Sequence, residues 1–245
     1  MLIRFLLSLL LIFGLSACAT SPGVAPQLVT ETFMIPGLDP GIQLHVRNKR
    51  PSGLESFAPE RIVLFVHGAT FASEPGFDVE LPGGSWMEYV AKRGFDTYFV
   101  DIRGYGRSTR PPAMDQPPMA NAPFADTRDA VRDVSAAVDF ILKRRGVQKI
   151  NVVGWSWGTT IMGGFAAENP AKVEKLVLYA PVWYLPKPPP YQGAYRTTTR
   201  EQALARRGAG VPKERFEETF PSEWFEKWWA LKIHVRRTWI CLTPP

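Results

Sequence analysis

The residues most able to do chemistry lie in the segment Gly-Trp-Ser-Trp-Gly at 154–158. The hydroxyl of Ser156 at its centre is a candidate nucleophile, which could attack a carbonyl carbon once a base takes its proton. A β-branched run at 149–153 precedes the segment, and a helix-like stretch at 156–168 follows it. Glycines on both sides suit a place where strand and helix approach too closely for a Cβ. The pattern predicts a strained strand-to-helix turn that displays Ser156, the arrangement called a nucleophile elbow.

A second segment could bind the negative charge that such an attack creates. Val66-His67-Gly68-Ala69 ends another apolar run, and its turn could aim the Ala69 backbone N–H at the substrate oxygen. The N–H of Trp157, directly after the nucleophile, would be the second donor. We expect His67 to fix this loop by hydrogen bonding and not to act as the base.

The elements that must position these groups alternate between strands and helices. The sequence predicts edge strands at 28–35 and 42–47, and buried strands at 61–66, 97–100, 149–153 and 175–179. Helices are predicted near 85–92, from an N-cap at Asp126 to Gly146, and at 156–168. Such alternation indicates an α/β fold with a parallel sheet covered on both faces.

A third segment gives these motifs a family likeness. Asp-Ile-Arg-Gly-Tyr-Gly-Arg-Ser at 101–108 follows the strand after the His67-Gly68 turn. Together with the His67-Gly68 turn and the segment at 154–158, it forms a set of three motifs that come in this order, each at the end of a strand. This set resembles the α/β-hydrolase superfamily, in the branch that holds esterases and epoxide hydrolases. The resemblance covers about residues 28–182. The resemblance implies the α/β-hydrolase fold and structural roles for Asp101 and Arg103. A serine at 156, where epoxide hydrolases have aspartate, points to acyl transfer.

The resemblance also implies an acid and a histidine late in the chain, and neither is evident. No aspartate follows Ser156, and His234 is the only later histidine. We therefore assign no acid or base, and we interpret the glutamates of the tail as solvated helix faces. We expect the chain to be truncated or frame-altered after about Trp229, with the last strands of the fold missing. The tail glutamates that we interpret as solvated helix faces are residues 201, 214, 217, 218, 223 and 226.

The N-terminus predicts export. Residues 1–17 have the basic start and short apolar core of a signal peptide. Leu15-Ser16-Ala17-Cys18 resembles the lipobox of bacterial lipoproteins, which implies lipidation of Cys18 and a tether at 18–27; an ordinary secretory signal is the alternative. Because residue 19 is not aspartate, the outer membrane is the expected destination in a Gram-negative host. A hydrolase core at 28–182 and a partial cap or irregular tail at 183–245 complete the predicted organisation.

These observations favour a lipid-anchored serine hydrolase acting on small carboxylic esters or related acyl compounds. The alternatives are a truncated or non-catalytic binding lipoprotein and an acyltransferase. Trp155, Trp157 and Phe71 would either line an apolar pocket or pack the core. We expect no cofactor and no metal, because no His, Cys or Asp group has ligand spacing. The net charge of +6 comes with no nucleic-acid motif, so we expect a membrane surface, not nucleic acid, as the charged partner.

Overall fold

A computed structural model describes residues 26–123, 125–182 and 193–232 of the 245-residue chain. Cys18, His234 and the predicted signal peptide therefore lie outside the described residues. One sheet holds six strands in the order β1-β2-β4-β3-β5-β6. They are β1 Leu28–Pro36, β2 Gln43–Pro51, β3 Ile62–Val66, β4 Asp96–Val100, β5 Ile150–Trp155 and β6 Val173–Tyr179.

Helices cover both faces of this sheet. They are α1 Ser73–Phe77, α2 Trp86–Ala91, α3 Thr127–Arg145, α4 Trp157–Glu168, α5 Arg200–Arg207, α6 Phe216–Thr219 and α7 Ser222–Lys232. Side chains alternate along β3, so Leu64 packs in one core cluster with α3 and α4, and Phe65 packs in the other with α1 and α2. Every residue of β3 is buried, as expected for a strand covered on both faces.

The sheet is mostly parallel, in agreement with the α/β-hydrolase fold that the sequence predicts. Strands β4, β3, β5 and β6 run parallel to one another. Strand β1 pairs antiparallel with β2, which in turn pairs antiparallel with β4. The prediction that the second strand is an edge is therefore wrong, because β2 has a partner on each side.

The long helix α3 begins and ends where the sequence predicts. Asp126 is its N-cap, and the Asp126 and Asp129 side chains form a reciprocal capping box with each other's backbone N–H. Gly146 ends the helix in a left-handed conformation with φ 65°. Val134 and Val138 face the core one turn apart.

Strand β6 is correctly predicted as a strand but wrongly predicted as buried. Its residues Leu176, Val177, Leu178 and Tyr179 are 39–53% exposed. Within the described residues, β6 pairs only with β5 and lies at the edge of the sheet. A run of apolar residues indicates a strand, but its burial depends on neighbours that the run does not specify.

The described part of the tail, residues 193–232, packs on the α1 side of the molecule. Phe225 and Trp228 of α7 form a small core with Val79 and with Ala203 of α5. The Trp228 indole N–H donates to the Pro75 carbonyl oxygen at 3.1 Å. None of the helices in the described ranges combines the length and apolar character needed to cross a bilayer.

Candidate active site

Ser156 occupies the turn between β5 and α4 in a strained conformation, with φ 55° and ψ −119°. Such a backbone, rare for a residue with a side chain, persists only when its surroundings hold it. The Ser156 N–H donates to the Tyr179 carbonyl oxygen of β6 at 3.0 Å, and its own carbonyl accepts from the Thr159 N–H and hydroxyl at 2.9 and 2.6 Å. Hydrogen bonds on both sides of the residue therefore fix the turn.

The two glycines that flank the turn are required by close backbone approach, which confirms the sequence prediction. A Cβ at Gly154 would overlap the carbonyl oxygen of Gly158 across the turn. A Cβ at Gly158 would overlap the carbonyl oxygen of Val66, at the end of β3. Neither obstacle is the flexible end of a side chain, so neither could move aside cheaply.

The loop after β3 lies directly against the serine. A Cβ added to Gly68 would sit 3.0 Å from the Ser156 Cβ and 3.5 Å from its Oγ. Ala69, the next residue, is buried, and so is Trp157. Trp157 is the first residue of α4, where the backbone N–H has no acceptor within the helix. The structure thus brings the two segments together, and the roles of the Ala69 and Trp157 amides in binding an oxyanion stay predictions.

His67 fixes the loop after β3, as the sequence predicts. Its Nδ1 lies 2.7 Å from the Gly68 carbonyl oxygen, and its Nε2 accepts from the Ile102 N–H at 3.2 Å. This pattern requires a neutral ring with its proton on Nδ1. Complete burial lowers the pKa of His67, against the opposing charge of Asp101. With both nitrogens engaged, the ring has no free site for a proton from Ser156.

Asp101 organises the next loop from a buried position. Its carboxylate lies 2.8 Å from the His45 Nδ1 and accepts the Ser73 N–H at 2.9 Å and the Arg107 N–H at 3.2 Å. Burial alone would raise the pKa of Asp101, but the hydrogen bond from His45 and the other donors hold it below its usual range. Gly106 leaves room for this carboxylate, since a Cβ there would overlap it.

Arg103 is also structural. Its guanidinium binds the fully buried carboxylate of Asp133 in α3 through its Nε and Nη2, and it also contacts Asp39 at 2.6 Å. These contacts raise the pKa of Arg103 despite its burial, which by itself would lower it. The expectation that Asp101 and Arg103 tie the loop in place is confirmed by these bonds.

A cavity of about 340 Å³ opens over Ser156. Its described lining combines the β3 loop, the elbow and three residues of the tail that sequence reasoning missed. The lining residues are Gly68, Ala69, Thr70, Phe71, Trp155, Ser156, Ala180, Ala203, Arg206 and Trp228. The tail residues are distant in sequence, and the only available signal was the apolar spacing of Phe225 and Trp228 along a helix.

The aromatic residues near the serine divide between the two predicted roles. Trp155 and Phe71 line the cavity. Trp157 is 1% exposed, belongs to the main core and donates from its indole N–H to the Thr127 hydroxyl at 3.1 Å. The cavity wall is thus largely apolar, while Trp157 contributes packing.

No base or acid for Ser156 is found among the described residues that line this cavity. His45 lies in β2 bound to Asp101, and His67 is engaged as above. The six candidate glutamates of the tail are exposed, and none lines the cavity. In the described ranges, no group of three or more His, Cys, Asp or Glu side chains is placed to hold a metal ion.

Comparison with known proteins agrees with this architecture. The family model described as alpha/beta hydrolase fold matches residues 61–233. Mouse gastric triacylglycerol lipase is 31% identical over 128 residues, which cover 50% of this chain and 32% of the lipase. The human gastric lipase is 30% identical over 119 residues, 48% of this chain and 29% of the relative. The chain thus spans about a third of the length of these relatives.

Solved structures also match the chain, at lower identity and with TM-scores below 0.5. A variant of potato epoxide hydrolase is 24% identical, with a TM-score of 0.46. The match covers 74% of this chain and 46% of the epoxide hydrolase chain. A predicted CIB-like hydrolase from Thermoplasma acidophilum is 21% identical, with a TM-score of 0.43. The match covers 64% of this chain and 65% of that hydrolase.

Proposed function

The chain belongs to the alpha/beta hydrolase fold family, and from this membership we propose that it is a serine hydrolase that cleaves carboxylic esters or related acyl compounds through an acyl-enzyme on Ser156. The observation that carries the proposal is the strained Ser156 in the lining of a largely apolar cavity, in close contact with the Gly68 loop. A serine in this position can form an ester intermediate that water then cleaves. The triacylglycerol lipases among its relatives support an ester as the substrate.

The proposed reaction has two halves. The Ser156 Oγ attacks the ester carbonyl while a base accepts its proton, and the Ala69 and Trp157 N–H groups bind the oxyanion. Collapse of this intermediate breaks the bond to the alcohol, which leaves with a proton from the conjugate acid of the base. Water then attacks the acyl-serine by the same route, releasing a carboxylic acid and the free hydroxyl. His234 is the histidine to test as the base, since His45 does not line the cavity and both ring nitrogens of His67 are engaged.

We include membrane attachment in the proposal. Acylation of Cys18 would tie the hydrolase to the cell envelope, and more than one acyl chain makes such attachment durable. Incorporation of labelled palmitate into the full chain, and its loss in Cys18→Ser, would test this. A chain that carries no palmitate would contradict the anchor and leave the hydrolase proposal intact.

One observation favours a second candidate, a hydrolase-like protein that binds ligands without cleaving them. No described histidine lines the cavity over Ser156. Without a base, the oxyanion site and binding alone leave only about 10³–10⁴-fold acceleration over water. Transfer of the acyl group to an alcohol or amine instead of water would be a variant of the main proposal.

A fluorophosphonate probe separates these candidates, because it bonds covalently to an activated serine. We expect one label per full-length chain, which is lost in Ser156→Ala and retained in Ser135→Ala. Ser135 is the control because its hydroxyl donates to the Val131 carbonyl oxygen and does not line the cavity. If His234 is the base, His234→Gln should slow labelling by about 10²-fold or more. A folded wild-type chain that stays unlabelled would contradict the hydrolase proposal and favour the binding protein.

A further inference from the structure

Among its described lining residues, the cavity over Ser156 has one charged side chain. That side chain is Arg206, and the other nine residues contribute aromatic rings, small residues and two hydroxyls. A positive charge beside an apolar wall favours ligands that carry both an apolar body and an anionic group. The described wall of the cavity is therefore asymmetric in charge.

The helix that carries Arg206 is held in place by its neighbours. Thr199 caps α5 through a capping box with Gln202, which fixes where the helix begins. Ala203, one turn before Arg206, is buried in the small core with Trp228, and both line the cavity. Arg206 is thus on the cavity side of α5 because Ala203 anchors that side.

Unlike Arg200 and Arg215 of the same region, Arg206 has no acidic partner among the described residues. Arg200, at the start of α5, pairs with Glu226, and Arg215 pairs with Glu218 at 3.1 Å. In the core, Arg103 and Arg145 are also paired, with Asp133 and Asp96. Arg206 makes no such ion pair within the ranges that the structure describes and is exposed to solvent. With no carboxylate beside it in those ranges, its guanidinium could bind an anion from outside the chain.

We propose that Arg206 is a specificity-determining residue that selects esters carrying an anionic oxygen group, a carboxylate or a phosphate, beyond the scissile bond. The planar guanidinium presents paired N–H donors that match either group. The aromatic wall from Phe71, Trp155 and Trp228 would hold the apolar part of the same substrate. This inference rests on the proposed hydrolase function of Ser156 and names its substrate class.

A matched pair of esters tests the charge preference directly. Mono-4-nitrophenyl glutarate and 4-nitrophenyl pentanoate have acyl chains of equal length and differ in a terminal carboxylate. We expect kcat/KM to favour the glutarate ester by about tenfold at low salt. Because Arg206 is exposed, the preference should weaken when salt is raised to about 0.5 M. A 4-nitrophenyl ester ending in a phosphate, measured beside them, shows which anion is preferred.

Three variants locate the source of the preference. Arg206→Gln should remove it by slowing the anionic ester alone, and Arg206→Lys should keep part of it, since the charge remains but the planar donors do not. Arg215→Gln removes an equal charge outside the cavity and should leave the preference unchanged. Equal rates on the charged and neutral esters in the wild-type chain, or a preference that survives Arg206→Gln, would overturn the inference.

The neutral fluorophosphonate distinguishes this failure from failure of the hydrolase proposal. Labelling of Ser156 at the wild-type rate in Arg206→Gln, with no charge preference in the wild-type chain, overturns the Arg206 inference alone. If the wild-type chain is not labelled, calorimetric titration of full-length Ser156→Ala with the two esters still decides whether Arg206 binds the anion. Tighter binding of the glutarate ester, lost when Arg206→Gln is added, supports the inference, and equal binding overturns it.

Discussion

The nucleophile turn and the outermost strand of the sheet have opposite environments although they are adjacent. Around Ser156, the Val66 carbonyl, Gly68 and the start of α4 fill the space so closely that two glycines cannot be replaced without overlap. On β6, four consecutive apolar residues are 39–53% exposed. The two regions are joined by the hydrogen bond from the Ser156 N–H to the Tyr179 carbonyl. One side of the turn is therefore tightly packed, and the other is attached to a strand that is largely exposed among the described residues.

Two glycines of α4 give the largest expected contrast within the packed side. Gly158→Ala should lower the free energy of unfolding by about 3 kcal/mol, because its Cβ would overlap the Val66 carbonyl, which is fixed in the sheet. Gly163→Ala, in the same helix, meets nothing within 4 Å and should raise stability by about 0.5–1 kcal/mol. Urea unfolding measures both. Equal effects at the two positions would show that helix propensity, and not close approach, explains Gly158.

Two valines that are paired across β5 and β6 allow the packing of the two regions to be compared directly. Val153 is buried and pairs in register with Val177, which is 48% exposed. Val153→Ala should cost about 2 kcal/mol of unfolding free energy, since it removes buried methyl groups and leaves a cavity. Val177→Ala should cost about 0.5 kcal/mol or less.

The same urea titrations measure this difference. A loss at Val177→Ala as large as that at Val153→Ala would mean that β6 is covered in solution by something outside the described residues. A loss at neither position would contradict the tight packing assigned to the β5 side.

The smallest expected effect is a pH dependence confined to the packed side. Because burial lowers the pKa of His67 below its ordinary value of 6.5, the unfolded chain binds a proton before the folded chain does. Stability from the neutral ring is thus complete above pH 6.5 and is lost as the pH falls below it, by at most about 1.4 kcal/mol per pH unit. Unfolding free energies at pH 7.5 and 5.5 should show this loss, and His67→Asn should reduce it. An NMR titration showing a protonated His67 at pH 6 in the folded chain would contradict the assignment.

Much of this arrangement could be predicted because local sequence determines it. The flanking glycines indicate the turn at Ser156, and the Asp126 cap with Gly146 bounds α3. His67 could be interpreted as structural from its place between a strand and a glycine. In each case the residues that explain the feature are neighbours along the chain.

The features that were missed depend on contacts between distant segments. The partner of Asp101 is His45, which the β2–β4 register places opposite it from 56 residues away. Ala203, Arg206 and Trp228 reach the cavity through packing of the tail on Val79, and no local pattern specifies that contact. The exposure of Val177 was missed for the same reason, since burial of a strand depends on what packs beside it.

The hydrogen bond between Ser156 and Tyr179 has a consequence for the order in which the molecule assembles. The bond links positions 156 and 179, so this support for the strained backbone of the serine is complete only after β6 has docked on β5. Local opening of the outer strand should then relax the turn without unfolding the packed sheet. Amide hydrogen exchange at Ser156 should follow the local opening of β6, at a lower free energy than exchange at Leu64 in β3, which should follow global unfolding. The turn that carries the nucleophile would thus become fully ordered together with β6 and loosen together with it.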